Sequence, residues 1–178
     1  MVGSGPRSMN ITLIGMAGVG KSVIGRKLAK RLSYTFCDTD ELIKKKTGHT
    51  LQEIINTSGD DKLLAVEEET ILGLGAFENC VLSPGGSVIY SARAMEFIKR
   101  NSLVIFLNAP FEVIQGRLVD RQTRGIVGLR KKSLRALFDE RLGLYKRAAD
   151  ITIDLPDEFD VDAIVRSIMQ AISAGGLT

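Results

Sequence analysis

Residues 15–22 read Gly-Met-Ala-Gly-Val-Gly-Lys-Ser, which fits the phosphate-binding pattern G-x-x-x-x-G-K-[ST]. Glycines let such a loop turn tightly, so that successive backbone N–H groups point at a phosphate. Lys21 then supplies a positive charge to the β- and γ-phosphates, and the Ser22 hydroxyl is a ligand for Mg²⁺. The remaining phosphate contacts are expected from the backbone of Ala17, Gly18, Val19 and Gly20. The pattern predicts an ATP-binding loop.

Two aspartates, Asp38 and Asp40, follow the second predicted strand with one residue between them. In an extended segment, residues two apart project to the same side. We therefore expect both carboxylates to face the mouth of the phosphate loop, where Mg²⁺ neutralises one and the other accepts a proton from an acceptor hydroxyl. The alternative role for Asp40 is to cap a helix that begins near Glu41.

The elements that must position these residues alternate between short apolar strands and amphipathic helices. Strands are predicted at 10–14, 34–38, 80–83, 103–107 and 151–154. Helices are predicted from Ser22, from Thr50 to Asn56 behind a capping box, from Asp61 to Phe77, after Pro110, and from Val161 to Ile172. This order predicts βαβ units and a parallel sheet covered on both faces, with ligands at the carboxyl ends of the strands.

Arg141 lies on an otherwise apolar helical stripe. The stripe comprises Leu134, Leu137, Phe138, Arg141, Tyr145 and Ala148. An arginine that faces a core requires an anion, which is either a ligand or a protein carboxylate. The alternatives of a structural salt bridge and of a side chain that reaches solvent stay open from the sequence.

A basic segment at about 120–132 contains Gly125 and Gly128 between two predicted helices. Its cations and those beside it are Arg117, Arg121, Arg124, Arg130, Lys131, Lys132 and Arg135. A flexible cationic loop can close over ATP and exclude water. Nucleic acid is the weaker alternative because no aromatic residues are interleaved with the charges.

The composition limits the classes of protein. The chain has 178 residues, a net charge of +3 and 25% charged residues, which favours one globular domain. His49 is the single histidine, which argues against His-based metal sites and Ser-His-Asp chemistry. Residues 1–8 are expected to be a cloning remnant before a native Met9, and 9–178 a single domain. No apolar run is long enough to span a membrane, so we expect a cytoplasmic protein without membrane partners. We also expect a monomer or weak oligomer without nucleic-acid partners.

Taken together, these motifs resemble the shikimate kinase family. The resemblance is carried by residues 15–22, Asp38-Thr39-Asp40, the Gly85-Gly86 turn, Arg124 in the basic loop, and 141–145, in matching order from Met9 to about Asp154. It implies a P-loop NTPase fold: three α/β/α layers around a five-stranded parallel sheet in the order 2-3-1-4-5, with a mobile lid at about 120–132. It also implies an ATP- and Mg²⁺-dependent kinase of aromatic amino acid biosynthesis, acting on a small, hydroxylated, anionic substrate.

The resemblance implies roles on the nucleotide side. Ser22 and Asp38 resemble the magnesium residues, and Arg117 resembles an arginine that stacks on adenine. Arg124 resembles a lid arginine that reaches the transferring phosphoryl group. With Lys21, it is a predicted catalytic residue.

On the acceptor side, Asp40 resembles the carboxylate that contacts the acceptor hydroxyl and serves as catalytic base. Gly85 and Gly86 resemble a turn that binds the substrate through its backbone. Arg141 resembles a clamp on the substrate carboxylate. Glu67 resembles an acid that buttresses the site.

The departures from the family pattern lie mainly on the acceptor side. The pattern G-E-x-x-F-R-x-x-E corresponds to 59–67, where Leu64 occupies the position of a second carboxylate-binding arginine. Ser87 follows Gly86 where a third glycine is usual, and Gly125 replaces a proline after Arg124. Three hypotheses remain: a kinase of shikimate or a related hydroxylated acid, a kinase of the same fold with a changed acceptor such as a polyol or sugar acid, and a non-catalytic nucleotide-binding regulator.

Overall fold

The computed structural model describes residues 9–119, 125–156 and 158–175. Five strands form one parallel sheet in the order β2-β3-β1-β4-β5, which confirms the predicted fold class and order. Their bounds are β1 Asn10–Ile14, β2 Thr35–Asp38, β3 Cys80–Ser83, β4 Ser102–Asn108 and β5 Ile151–Asp154.

Helices cover both faces of this sheet. They are α1 Lys21–Leu32, α2 Thr39–Thr47, α3 Leu51–Leu72, α4 Ala92–Asn101, α5 Phe111–Val119, α6 Leu134–Ala148 and α7 Val161–Ala174, with a 3₁₀-helix at Gly86–Tyr90. None of the helices in the described part of the chain is long and apolar enough to cross a bilayer.

The main core lies on the two faces of the central strands. Every residue of β1 is buried, and Ile11 pairs with Val81 of β3 on one side and Leu103 of β4 on the other. A strand buried on both faces is rich in apolar residues, and the two polar residues of β1 are hydrogen-bonded: the Asn10 side chain donates to the Phe77 and Asn101 carbonyls, and Thr12 bonds to the Ser102 hydroxyl. Both β1 and β3 therefore end at fixed positions below the phosphate loop.

A second, smaller core lies beside α2 and α3. We call it the small cluster; its members are Ile43, Ile54, Ile55, Leu63, Val66 and Val127, with the partly buried Leu51 and Leu64 packed against them. It holds both parts of α3 against α2 and against the segment that follows residue 124.

The structure confirms two of the predicted helices and corrects the prediction in two places. The short capped helix and the helix from Asp61 are the two parts of α3, on either side of a break at Gly59, where φ is 85° and ψ is 175°. The second part ends at Leu72 and not at Phe77. Helix α4 was not predicted, although Ala94, Met95 and Ile98 have helical spacing behind the N-cap Ser91.

The start of α3 agrees with its predicted capping box. The Thr50 hydroxyl accepts from the Glu53 N–H at 3.2 Å, and the Glu53 carboxylate accepts from the Thr50 N–H at 2.7 Å. These bonds lower the pKa of Glu53. The cap fixes where α3 begins, beside the small cluster.

Candidate active site

A cavity of about 520 Å³ opens at the carboxyl ends of β1, β2 and β3. Most of the predicted site residues line it: Ala17, Gly18, Gly20, Lys21, Ser22, Asp38, Asp40, Glu67, Gly85, Gly86 and Arg141. They come from five separate parts of the chain. The carboxyl ends of neighbouring parallel strands meet at one edge of the sheet, which is why the fold gathers them there.

The phosphate loop joins β1 to α1. Gly20 caps α1 with a φ of 107°, a conformation that side chains rarely adopt, and a Cβ atom there would stand 2.7 Å from the ring of Phe159. Lys21 begins the helix, and its Nζ donates to the Gly15 carbonyl at 2.8 Å and the Met16 carbonyl at 3.1 Å. The ammonium group therefore folds back over the loop at the positive end of α1.

Ser22 and Asp38 form a direct contact at the other side of the loop. The Ser22 hydroxyl donates to Asp38 Oδ2 at 2.7 Å. A hydroxyl and a carboxylate are hard oxygen ligands, and Mg²⁺ is commonly held by one or two such groups together with substrate phosphates. Within the described residues there is no cluster of three or more His, Cys, Asp or Glu side chains suited to a metal. The pair therefore fits a magnesium ion bound jointly with phosphate oxygens.

The two aspartates reach the cavity by a different geometry from the one predicted. Asp38 ends β2 and is the N-cap of α2, where its Oδ1 accepts from the Asp40 N–H at 3.0 Å. Asp40 lies in the first turn of α2, so the argument from an extended segment was wrong, and the capping residue is Asp38 and not Asp40. Both side chains still line the cavity. The helical turn separates them and directs Asp40 toward the Gly85 turn.

The Gly85 turn closes the cavity opposite the phosphate loop. Its N–H donates to the Thr39 hydroxyl at 3.3 Å. A Cβ atom at Gly85 would stand 3.3 Å from Asp40 Oδ1 and would collide with Glu67 Oε1. The absence of a side chain at this position therefore lets two carboxylates approach the same stretch of backbone.

Glu67 is the buried acid of the site, with 4% of its surface exposed. The Ser87 hydroxyl donates to its Oε2 at 2.5 Å. Burial raises the pKa of Glu67 to about 7; the Ser87 hydrogen bond opposes this rise, nearby Asp40 adds to it, and Arg141 and Lys21 oppose it. Glu67 therefore changes charge near neutral pH, unlike an exposed glutamate.

Arg141 is buried on the apolar stripe of α6, as its spacing predicted, with 1% of its surface exposed. Its Nη2 donates to the Val127 carbonyl at 2.8 Å, and its Nε donates to the Tyr90 hydroxyl at 3.3 Å. No carboxylate of the described residues lies within salt-bridge distance of it. Arg141 therefore does not reach solvent, and it forms no salt bridge within the part of the chain that the structure describes.

Tyr145 lies one turn beyond Arg141 on the same helix. Its hydroxyl donates to the Gly86 carbonyl at 2.6 Å, and its ring stacks on Phe106 with centroids 5.2 Å apart. Burial raises the pKa of Tyr145 to about 12. This contact ties the Gly86 turn to α6 and so to Arg141.

Arg117 and Val19 lie outside the cavity wall. Arg117 Nη1 donates to the Gly18 carbonyl at 3.3 Å and the Val19 carbonyl at 3.1 Å, and its guanidinium lies 4.3 Å from the centre of the Phe159 ring. The Val19 side chain is packed in the main core. Arg117 therefore braces the phosphate loop from outside, next to an aromatic ring.

Arg124 lies outside the described residues, and its predicted role stays a prediction. In the described part of the predicted lid, Gly125 and Val127 line the cavity. The Gly128 N–H donates to Asp60 Oδ2 at 3.0 Å. This part of the segment is therefore attached to α3.

Comparisons with known proteins agree with this geometry. A family model described as Shikimate kinase matches residues 17–173, which is most of the chain.

The chain belongs to the shikimate kinase family.

Shikimate kinases of known sequence resemble it along nearly their whole length. The chain is 32% identical over 171 residues to that of Rippkaea orientalis, covering 93% of this chain and 89% of the relative. It is 34% identical over 165 residues to that of Pelotomaculum thermopropionicum, covering 92% and 91%. The chain is accordingly an ATP-dependent phosphotransferase that acts on a hydroxyl group.

Solved shikimate kinases have the same architecture. The enzyme of Acinetobacter baumannii, in complex with shikimate, superposes with a TM-score of 0.87 at 30% identity over 97% of each chain. That of Aquifex aeolicus superposes with a TM-score of 0.81 at 30% identity, covering 95% of this chain and 99% of the other. A gluconokinase of Sinorhizobium meliloti shares only the fold, with a TM-score of 0.58 at 19% identity.

The position at which the shikimate kinase pattern has an arginine is occupied by the half-buried Leu64. It packs against the small cluster and is absent from the residues that line the cavity. Leu64 lies one helical turn before Glu67 on α3. An apolar side chain here extends the small cluster and brings no positive charge to Glu67.

Sequence reasoning missed the partners that fix the acceptor side. Ser87 was identified only as a departure from the shikimate kinase pattern, and Tyr90 and Thr39 were not identified. A polar residue directly after two glycines is the signal for Ser87. No local signal exists for Tyr90, because its contact with Arg141 joins residues 51 positions apart.

Proposed function

We propose that this chain transfers the γ-phosphate of ATP to a hydroxyl of shikimate or of a related hydroxylated acid. The observation that carries the proposal is the cavity itself. It joins the phosphate loop, with Lys21 and Ser22, to a pocket that contains Asp40 and Arg141. A nucleotide phosphate and a small acceptor fit next to each other in about 520 Å³.

The proposed work on the nucleotide side is positioning and neutralisation of charge. Backbone N–H groups of residues 17–20 and the end of α1 bind the phosphates, and Lys21 balances charge on the transferring group. Ser22 and Asp38 hold Mg²⁺, which when bound supplies positive charge to the phosphate oxygens. We assign Arg124 the role of a further positive group, and Arg117 contact with the base.

The proposed work on the acceptor side is to align one hydroxyl with the phosphate. Asp40 receives the proton from that hydroxyl or fixes its orientation. The backbone of Gly85 and Gly86 forms the facing wall, and Arg141 meets the anionic group of the acceptor. Lid closure over about 120–132 excludes water, so that phosphate passes to the acceptor and not to solvent.

A changed acceptor is the second candidate, and Leu64 favours it. Where a second arginine would meet a carboxylate, this chain has an apolar residue outside the cavity wall. The third hypothesis, a non-catalytic regulator, is disfavoured because Lys21, Ser22, Asp38 and Asp40 are all present at one cavity.

ADP release with Mg²⁺-ATP, measured over shikimate, quinate, gluconate and neutral polyols, tests the proposal. We expect release that depends on the acceptor, with shikimate or another hydroxylated acid active. Release without any acceptor dependence would contradict it. Activity with polyols but none with hydroxy acids would select the second candidate.

A further inference from the structure

The acceptor half of the cavity contains an acid that is fixed in place and forms no salt bridge with any cation of the described residues. Resting on the proposed kinase activity, we propose that Glu67, held by Ser87, binds a hydroxyl group of the acceptor directly. The site then recognises its acceptor mainly through hydroxyl groups and only weakly through an anionic group. The substrate class is a polyhydroxylated ring or chain on which a carboxylate is dispensable.

Glu67 is positioned as a ligand and not as a surface charge. The Ser87 hydroxyl fixes Oε2 at 2.5 Å, and Oε1 lies against Gly85, which is part of the cavity wall. Asp40 Oδ1 lies at the same glycine. The two carboxylates thus flank one stretch of backbone at the wall of the cavity, where a diol could donate one hydroxyl to each.

The charge around Glu67 disfavours a second anion. Within residues 9–119, 125–156 and 158–175, no Lys or Arg nitrogen pairs with it at salt-bridge distance. Burial raises its pKa to about 7, and Asp40 adds to this rise, whereas the Ser87 hydrogen bond and the charges of Arg141 and Lys21 oppose it. A substrate carboxylate placed beside Glu67 and Asp40 adds like charge, whereas a hydroxyl provides the donor that a buried carboxylate requires.

Arg141 is only partly available to balance the charge of a substrate carboxylate. Strong recognition of a carboxylate uses two parallel N–H groups of one guanidinium. Two of the three Arg141 nitrogens already donate to protein oxygens, at Val127 and Tyr90. The third, Nη1, lies 3.2 Å from where a Cβ atom of Gly86 would be, beside the Tyr145 hydroxyl. These two bonds use two of the five guanidinium N–H groups, so an anion meets a single arginine that is partly committed to the protein.

Leu64 brings no positive charge to the acceptor half of the cavity. It lies one turn before Glu67, where a positive side chain could reach both the acid and an anionic ligand. Instead it packs with the small cluster. The departure at Leu64 and the hydrogen bond from Ser87 thus act together, since Ser87 orients a glutamate that forms no salt bridge with an arginine of the described residues.

The test compares kcat/KM for shikimate, for its neutral carboxamide and for a deoxy analogue that lacks one non-reacting hydroxyl. We expect the carboxamide to be used within about threefold of the acid, and the deoxy analogue to lose about tenfold or more, because a site that binds a hydroxyl is left with an unpaired acceptor. A loss of about 10- to 100-fold for the carboxamide would overturn the inference while leaving the kinase intact. Turnover with none of the three, and with no other hydroxy compound, would overturn the proposed function as well.

Two variants separate recognition from structure. Leu64→Arg should shift the acid-to-carboxamide ratio toward the acid by about tenfold, because the new cation pairs with Glu67 and with the anion. Gln170→Arg, at an exposed position on α7 away from the cavity, adds the same charge elsewhere and should leave the ratio unchanged. Glu67→Gln should also move the ratio toward the acid, since it removes the negative charge and adds a donor. If Glu67 had a purely structural role, Glu67→Gln would lower kcat/KM equally for the acid and for the carboxamide. That result would overturn the inference.

Discussion

The nucleotide half and the acceptor half of the cavity are built in different ways. The nucleotide half is one continuous segment, 15–22, and works mainly through backbone atoms and the end of α1. The acceptor half is assembled from Asp40, Glu67, the Gly85 turn and Arg141, which come from four elements or turns. A continuous backbone motif tolerates little change, whereas dispersed side chains can be replaced one at a time. The departures from the family pattern fall mainly in the second half.

The two halves also differ in charge. Lys21 and the helix end give the nucleotide half positive potential for phosphates. The acceptor half brings Asp40 and the buried Glu67 to one glycine, with Arg141 bonded mainly to protein oxygens. The fold thus joins an anion-binding loop to a pocket suited to hydroxyl donors.

The largest effect is expected from removing charge in the nucleotide half. Lys21→Ala should lower kcat by about 10²–10³-fold or more, because one fixed group that balances charge on the transferring phosphoryl is lost. Circular dichroism and the melting temperature should stay near wild type, since Lys21 is the first residue of α1 and lies outside the core. The measurement is steady-state ADP release at saturating ATP.

Lys45→Ala on α2 is the matched control, since Lys45 is exposed and lies outside the cavity wall. It should retain wild-type turnover. Unchanged kcat in a folded Lys21→Ala protein would contradict the assignment of the nucleotide half.

The next largest loss of activity is expected at Asp40, which lies between the nucleotide half and the acceptor half. Asp40→Asn should reduce kcat by about 10²–10⁴-fold with little change in ATP affinity, because the proton acceptor for the hydroxyl is lost. Asp61→Asn, exposed on α3, is the control. If ATP binding collapses while acceptor kinetics survive, Asp40 belongs to the magnesium site and the division of the two aspartates is wrong.

A smaller effect is expected at the metal pair. Ser22→Ala should raise the Mg²⁺ concentration needed for half-maximal turnover by about tenfold, since one oxygen ligand and the bond to Asp38 are lost. kcat at saturating Mg²⁺ should fall less than in Lys21→Ala. An unchanged Mg²⁺ requirement would remove Ser22 from the metal site.

The smallest effect appears in stability and depends on pH. Glu67 has a pKa of about 7 in the folded protein against an ordinary value of 4.5, so the folded state binds this proton more tightly than the unfolded chain. The stability that it contributes is fully present below about pH 4.5 and is lost as the pH rises to about 7. Glu67→Gln should therefore melt about 3–8 °C higher than wild type at about pH 8, with no gain at about pH 4.

Thermal unfolding at the two pH values measures this. Glu112→Gln, an exposed glutamate on α5, controls for the loss of one charge and should give no comparable gain. A gain from Glu67→Gln that is the same at both pH values would contradict the raised pKa.

The sequence predicted the sheet order, the phosphate loop and the burial of Arg141, because each rests on local pattern or on spacing along one element. It did not predict that Asp38 caps α2. Asp38 and Asp40 are two positions apart, a spacing that also fits an extended strand, and the sequence does not show that α2 begins at Thr39 between them. The sequence also did not identify Ser87 as the hydrogen-bond partner of Glu67, or Tyr90 as that of Arg141. Those contacts join residues 20 and 51 positions apart and depend on how α3, the Gly85 turn and α6 meet.

Phosphorus NMR of the chain with Mg²⁺-ATP and shikimate tests most directly whether the two halves work together. We predict a new phosphomonoester signal that grows in step with ADP, requires the acceptor and is absent with Lys21→Ala. Formation of ADP with inorganic phosphate alone, in the presence of shikimate and of the other hydroxy acids, would contradict transfer to an acceptor in this cavity.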